Sequence, residues 1–233
     1  MYKKRYDGRK FEDLRETDAK VGIVKRADGS AMFRIGKTTA LAAVYGPREL
    51  HPKFLQDPSR GVLRCNYNMM AFSGSGERVR PGSSRRSREI SLVTQGALNP
   101  VLDLNDFPGT VVDVFIEIIQ SDAGTRCAGI CAASMALADA GFPMKDLVSA
   151  VSVGRVEDKL LVDLNKQEED HHEGTGVADI AVAMMPRLGK LTLLQMDGVV
   201  TKEDISNVLK LAKEACNKIY EVQKKALLEK YQI

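Results

Sequence analysis

The chain has 233 residues, 44% of them hydrophobic and 28% charged, with a formal net charge of +3. That is enough apolar material for a substantial core in one or two domains, and it excludes an intrinsically disordered chain. No run approaches the roughly 20 apolar residues of a membrane-spanning helix. The opening stretch from Met1 to Gly8 lacks the apolar segment of a signal peptide, so a soluble, cytoplasmic protein without membrane partners is expected.

In chain order, Ala31 to Ile35 alternates, meets Gly36-Lys37 and is followed by the Ala- and Val-rich run Thr38 to Tyr45, which predicts a hairpin. Residues 48 to 60 are polar and proline-broken, which predicts a loop. Leu63 to Phe72 predicts another strand, and residues 73 to 84, rich in Gly, Ser and Arg, a further loop. Ser83 or Ser84 can cap a helix whose apolar face is Ile90, Val93, Ala97 and Leu98, stopped at Asn99-Pro100. Val111 to Ser121 alternates, with Val112, Val114, Ile116 and Ile118 on one face and Asp113 and Glu117 on the other. After the turn Asp122 to Thr125, Arg126 to Ala140 reads as a small-residue helix buried in the core and ended by Gly141 and Pro143.

Ser149 to Gly154 and Lys159 to Leu164 predict a hairpin turning at Glu157-Asp158. A polar loop, 165 to 176, follows. Val177 to Met185 and Leu191 to Met196 predict a second hairpin. Thr201, with Asp204 three residues on, starts a final helix whose face is Ile205, Val208, Leu209, Ala212, Cys216, Ile219 and Ala226. No linker composition divides the chain. The expected fold class is α/β (α+β), with mixed β-sheets and packed helices. The expected organisation is one domain over 1–233, with subdomains of about 1–145 and 146–233 that form a pseudo-repeat of two β-rich halves.

Three places can carry chemistry. Gly124-Thr125-Arg126 follows a strand and opens a helix, where unsatisfied amides and the dipole favour an anion and an arginine adds a two-point fork. The same residues also suit a plain tight turn. Arg78, Arg80, Arg85, Arg86 and Arg88 crowd residues 78 to 88 without an acidic residue or lysine. Cations in a helix's first turn oppose its dipole, so a bound phosphate or nucleic acid makes better sense of them than a solvated basic face. Asp179 stands within the apolar run Val177 to Val182. Its carboxylate either faces solvent or acts as a general acid or divalent-metal ligand.

Other signals fail. Gly36-Lys37-Thr38 is no P-loop, because position 31 is Ala31 where the first glycine belongs. Cys65, Cys127, Cys131 and Cys216 form no paired CxxC motifs, so they are expected to be packing thiols rather than a zinc site. His171-His172-Glu173 lacks metalloprotease spacing, and its side chains are expected in solvent.

Several short stretches, in order and spacing, carry a resemblance: Asp7-Gly8-Arg9 with Asp13-Leu14-Arg15, Leu41 to Pro47, Ser84-Arg85-Arg86 with Glu89-Ile90, Ser121 to Arg126, Ala136 to Gly141, and Ala178 to Pro186. The chain resembles the RNase PH superfamily along nearly its whole length, and within it the catalytic subunits of archaeal exosome cores. The resemblance implies a phosphorolytic 3′-to-5′ exoribonuclease that releases nucleoside diphosphates and runs in reverse as an RNA-tailing enzyme. Inorganic phosphate is then the co-substrate and Mg²⁺ the cofactor. Arg86, Gly124, Thr125 and Arg126 would hold the phosphate. Arg64, Tyr67, Arg85 and Arg88 would bind RNA, with Tyr67 stacking a base. Asp179 would protonate the leaving 3′ oxygen or hold the metal.

The resemblance also implies partners: single-stranded RNA, a related inactive RNase PH-like subunit alternating with this one in a heterohexameric ring, a trimer of heterodimers, and RNA-binding cap subunits. The chain departs from the family in places. A second acidic residue usually lies about six positions before the catalytic aspartate, whereas Asp170 lies nine before Asp179. Gly174-Thr175-Gly176 reads as a short insertion, with Glu173 the alternative metal ligand to Asp170. Val177 and Asn66 stand where relatives often carry an acidic residue and an arginine. A homohexameric bacterial-type RNase PH and a non-catalytic ring subunit are the competing readings. Activity of the chain alone would favour the first, whereas retention of Arg86, Arg126 and Asp179 argues against the second.

Overall fold

The computed structural model describes residues 2–80, 82–171 and 176–232. The first half builds a five-stranded sheet from β1 (Thr17–Val21), β2 (Gly29–Ile35), β3 (Thr38–Glu49), β4 (Val62–Met69) and β5 (Thr110–Gln120). Their order is β1-β2-β3-β5-β4, with only β4 and β5 parallel. The second half builds a four-stranded antiparallel sheet from β6 (Ser149–Val156), β7 (Lys159–Val162), β8 (Val177–Met185) and β9 (Lys190–Asp197), in the order β7-β6-β8-β9. Period-two alternation decides which side faces inward: Ala31, Phe33 and Ile35 of β2 and Val112, Val114, Ile116 and Ile118 of β5 are buried.

Helix α2 (Thr125–Asp139) packs on strands of both sheets. Of its residues, only Arg126 and Ala138 escape burial. A helix enclosed on all sides needs small side chains to let its neighbours approach, which the run Ala128 to Ala138 supplies. The approach is closest at Gly29, where a Cβ would come within 2.3 Å of the Ala136 carbonyl oxygen. One continuous core cluster, with this helix in it, spans both halves, beside a smaller cluster of Tyr2, Val156, Leu161 and Leu164.

Helix α1 (Arg85–Leu98) covers β4 and starts at a capping box in which Ser84 Oγ accepts from the Ser87 amide. Helix α4 (Lys202–Tyr231) starts at the Thr201–Asp204 box and lies over β6 and β1. Gln223, buried on α4, accepts from Ser149 Oγ at 2.6 Å and donates to the Cys131 and Val148 carbonyls.

Edge strand β1 lies in a stretch for which no element was expected; its backbone pairing with β2 makes it a strand. Three expectations need correcting. The strand expected to reach Phe72 ends at Met69, and Phe72 is exposed. The expected loop at 165–176 contains helix α3 (Lys166–Glu169), capped reciprocally by Asn165 and Glu168. His171 is not solvated: it is buried against the Tyr2 and Tyr6 rings, 3.0 Å from Tyr6 Oη. Glu173, with Gly174 and Thr175 of the expected insertion Gly174-Thr175-Gly176, lies outside the described residues.

Candidate active site

β5 runs out at Gln120, and α2 begins at Thr125. Between them the chain turns through Ala123 and Gly124, both left-handed at φ 59° and 65°. Gly124 is the N-cap and offers no side-chain cap, so the first amides of α2 are open to an external acceptor. Two bonds to one hydroxyl hold the turn: Thr38 Oγ1 donates to the Ala123 carbonyl at 2.7 Å and accepts from the Asp122 amide at 2.8 Å.

The turn faces a cleft of about 470 Å³ that also admits Arg86 from α1, Ser152 from β6, Glu169 from α3, Asp179 from β8, and Gln195 and Asp197 from β9. Arg126 Nε is buried and has no hydrogen-bond partner among the described residues. A guanidinium nitrogen kept from both water and protein acceptors is costly unless an anion meets the group. Arg86 and Arg126 thus form a cationic side beside the helix N-terminus. Asp179 lines the same cleft from the second half of the chain, on β8 opposite Asp197 of β9. Ser152 Oγ donates to Asp179 Oδ1 in a short hydrogen bond.

The fold therefore brings together Arg86, the turn Gly124-Thr125-Arg126 and Asp179, three places far apart in sequence. It leaves the others elsewhere. Asp170 lines a second, larger cleft and pairs with Lys166 at 2.7 Å, and its neighbour Glu169 lines the cleft with Asp179. Tyr67 is buried, with Oη donating to Thr125 Oγ1 at 2.9 Å, so it offers no ring face to a base. Its inward position follows from the alternation of β4, where Leu63, Cys65 and Tyr67 point to the core. Burial pushes its phenol up, keeping it a neutral donor that orients Thr125.

Arg64, on the opposite face of β4, is half-exposed and grips Asp113 at two points, 2.6 and 2.9 Å. Arg85 and Arg88 are exposed at the start of α1 and do not line the cleft. Sequence reading missed Ser152, Glu169, Gln195 and Asp197. Only strand pairing and the placement of α3 bring them to the cleft, and nothing local marks them out from the other polar residues of these elements.

A profile of the 3′ exoribonuclease family, domain 1, matches residues 13–143, and its domain 2 matches residues 146–215. The chain is 54% identical to the exosome complex component Rrp41 of Pyrococcus furiosus, covering 98% of this chain and 89% of that one. It is 51% identical to the protein of the same name from Methanopyrus kandleri, over 97% and 93% of the two chains. The crystal structure of rice (Oryza sativa) Rrp46 superposes with a TM-score of 0.83 at 25% identity, over 96% of this chain and 100% of that one. A chain of the Archaeoglobus fulgidus exosome with RNA bound to the active site shares the fold, with a TM-score of 0.79 at 23% identity over 94% and 92%. With both halves of the chain matched, it belongs to the 3′ exoribonuclease family, the family of RNase PH.

Proposed function

We propose that this chain is the phosphorolytic 3′-to-5′ exoribonuclease subunit of an exosome ring, and that the Arg86–Arg126–Asp179 cleft is its active site. One observation carries the reading: an open helix N-terminus and an unpartnered, buried arginine nitrogen face a carboxylate across one cleft. Arg86, Arg126 and the amides of Gly124 and Thr125 hold inorganic phosphate and aim one oxygen at the last phosphodiester. That oxygen forms a new bond to phosphorus, the bond from phosphorus to the 3′ oxygen breaks, and the departing oxygen takes a proton from Asp179. The product is a nucleoside diphosphate, and the shortened RNA keeps its 3′ hydroxyl. The reverse reaction extends RNA.

Magnesium fits the donor set, since it is commonly held by one or two carboxylates together with phosphate oxygens. In the alternative role Asp179 would hold it instead of giving the proton, and the metal would supply positive charge between carboxylate and phosphate. Among the described residues no cluster of three or more side chains converges as a self-sufficient metal site.

The half-exposed Arg64 and the exposed Arg85 and Arg88 suit the RNA backbone further from the scissile bond. The assembly partners are a related inactive subunit, alternating in a heterohexameric ring, and RNA-binding cap subunits. The 54% identity to a protein named as an exosome component supports them. A cytoplasmic location goes with this reading; no helix among the described residues is long and apolar enough to cross a membrane.

The test uses the chain assembled with its inactive partner, 5′-labelled single-stranded RNA and Mg²⁺, with and without phosphate, beside Asp179→Ala. Phosphate-dependent shortening with diphosphate release, absent from the variant, is the expected result. Shortening without phosphate would make the enzyme a hydrolase. RNA binding without shortening would make the chain a scaffold.

A further inference from the structure

The two sides of the cleft belong to different halves of the chain, so something must set their separation. Asp163, at the end of β7, is buried and left-handed at φ 57°. Its carboxylate accepts from Arg15 at three points: the backbone amide at 2.9 Å, Nε at 2.8 Å and Nη2 at 2.6 Å. Arg15 in turn donates through Nη1 to the carbonyl of Asp122, the residue that opens the anion-facing turn. The Asp122 carboxylate also accepts from the Lys166 amide of the second half, at 3.1 Å. Gly36 makes room for this arginine, because a Cβ there would lie 2.5 Å from Arg15 Cδ.

The same aspartate reaches the other side of the cleft through its backbone. The Asp163 amide donates to the Ser152 carbonyl at 2.7 Å. Ser152 then donates through Oγ to Asp179. One buried residue is thus two steps from the phosphate-facing turn and two steps from the carboxylate. Neither Asp163 nor Arg15 lines the cleft.

We propose that Asp163 is a positioning residue, which through Arg15 places the Asp122–Gly124 turn and through Ser152 places Asp179, so that bound phosphate and proton donor meet at one phosphodiester. The proposal rests on the phosphorolytic reading above. Asp163→Asn is a fair probe, because asparagine tolerates the left-handed backbone and keeps the shape while removing the charge that holds Arg15.

The experiment measures steady-state phosphorolysis by the assembled ring, varying phosphate, for Asp163→Asn, Arg15→Met, the double variant and Ser152→Ala, with thermal unfolding of each assembly alongside. Asp163→Asn and Arg15→Met are expected to raise the phosphate KM by on the order of tenfold. The double variant should be little worse than either single change, because both break the same contact. Ser152→Ala, which removes one hydroxyl, is expected to lower kcat by on the order of tenfold with the phosphate KM unchanged.

If the folded, assembled Asp163 and Arg15 variants keep the wild-type phosphate KM and lose only thermal stability, the pair is a staple and the positioning role is wrong. An unchanged kcat in Ser152→Ala removes the second arm, and remains readable if the ion-pair variants do not fold. Failure of the phosphorolytic reading would look different: the wild-type ring itself would show no phosphate dependence.

Discussion

Arg5 and Glu168 meet as a fully buried two-point ion pair across 163 sequence positions, with Nε to Oε1 at 2.8 Å and Nη2 to Oε2 at 2.7 Å. The remaining Arg5 donors go to the Lys10, Asp13, Val162 and Asp163 carbonyls, and Tyr2 Oη donates to the same carboxylate. The N-terminal arm therefore docks on the second half of the chain, next to Asp163.

Removing one member of this pair leaves a buried charge without its partner. Arg5→Met or Glu168→Gln should each cost about 3–5 kcal/mol of stability, read by denaturant unfolding of the chain. A double replacement by apolar residues of similar volume should lose much less, since the cost of burying two charges disappears with them.

Arg126→Lys keeps the positive charge but loses the flat two-point fork. The expected effect is a rise of about tenfold in the phosphate KM, with the thermal midpoint little changed because Arg126 is not part of the closed core. Phosphate titrations of activity and of the unfolding midpoint, run side by side, separate the two.

The start of α4 should show in the acid limb of the stability curve. The Thr201 hydroxyl and amide, with Arg155 at 3.1 Å, hold the Asp204 carboxyl below its ordinary value of 3.8. A folded-state value below the unfolded one means that the stabilisation is complete above the ordinary value. It is lost as pH falls through the lowered folded value. Asp204→Asn should flatten that part of the curve, and Thr201→Ala should cost about 1 kcal/mol at neutral pH through the lost cap. Unfolding midpoints measured against pH test both.

All four cysteines are free and buried. Burial pushes Cys131 up to about 12 and holds Cys127 and Cys216 well above the ordinary thiol range, with the Asp179 carboxylate adding to the effect at Cys127. In the native chain none should react with a thiol reagent at about pH 8, and all should react on unfolding. A fast-reacting native thiol would mean that the element carrying it opens, α2 for Cys127 and Cys131.

Local patterns reached far into the fold. The α2 run Ala128 to Leu137 announced a helix with no polar face, and the alternation of β5 announced which residues face inward. The serine and threonine caps of α1 and α4 stand where their side chains predicted. Where tertiary contact decides the structure, local pattern falls short. β1, for which no element was expected, is a strand because β2 pairs with it. α3 forms in a polar stretch because Glu168 caps it and also neutralises Arg5. The resemblance implies that Tyr67 stacks a base, but the parity of β4 turns it inward, toward Thr125.

For the site, sequence determined the chemical types: an open helix start after a strand, arginines clustered without acidic neighbours, and one carboxylate in an apolar strand. Those properties are local, set by residue identity over a few positions. Only the tertiary structure decided which of these groups share a cleft, that Glu169 rather than Asp170 joins Asp179, and that Asp163 reaches both sides. The reason is physical: such placements depend on strand parity, on the packing of α2 between two sheets, and on buried ion pairs between residues more than 100 positions apart.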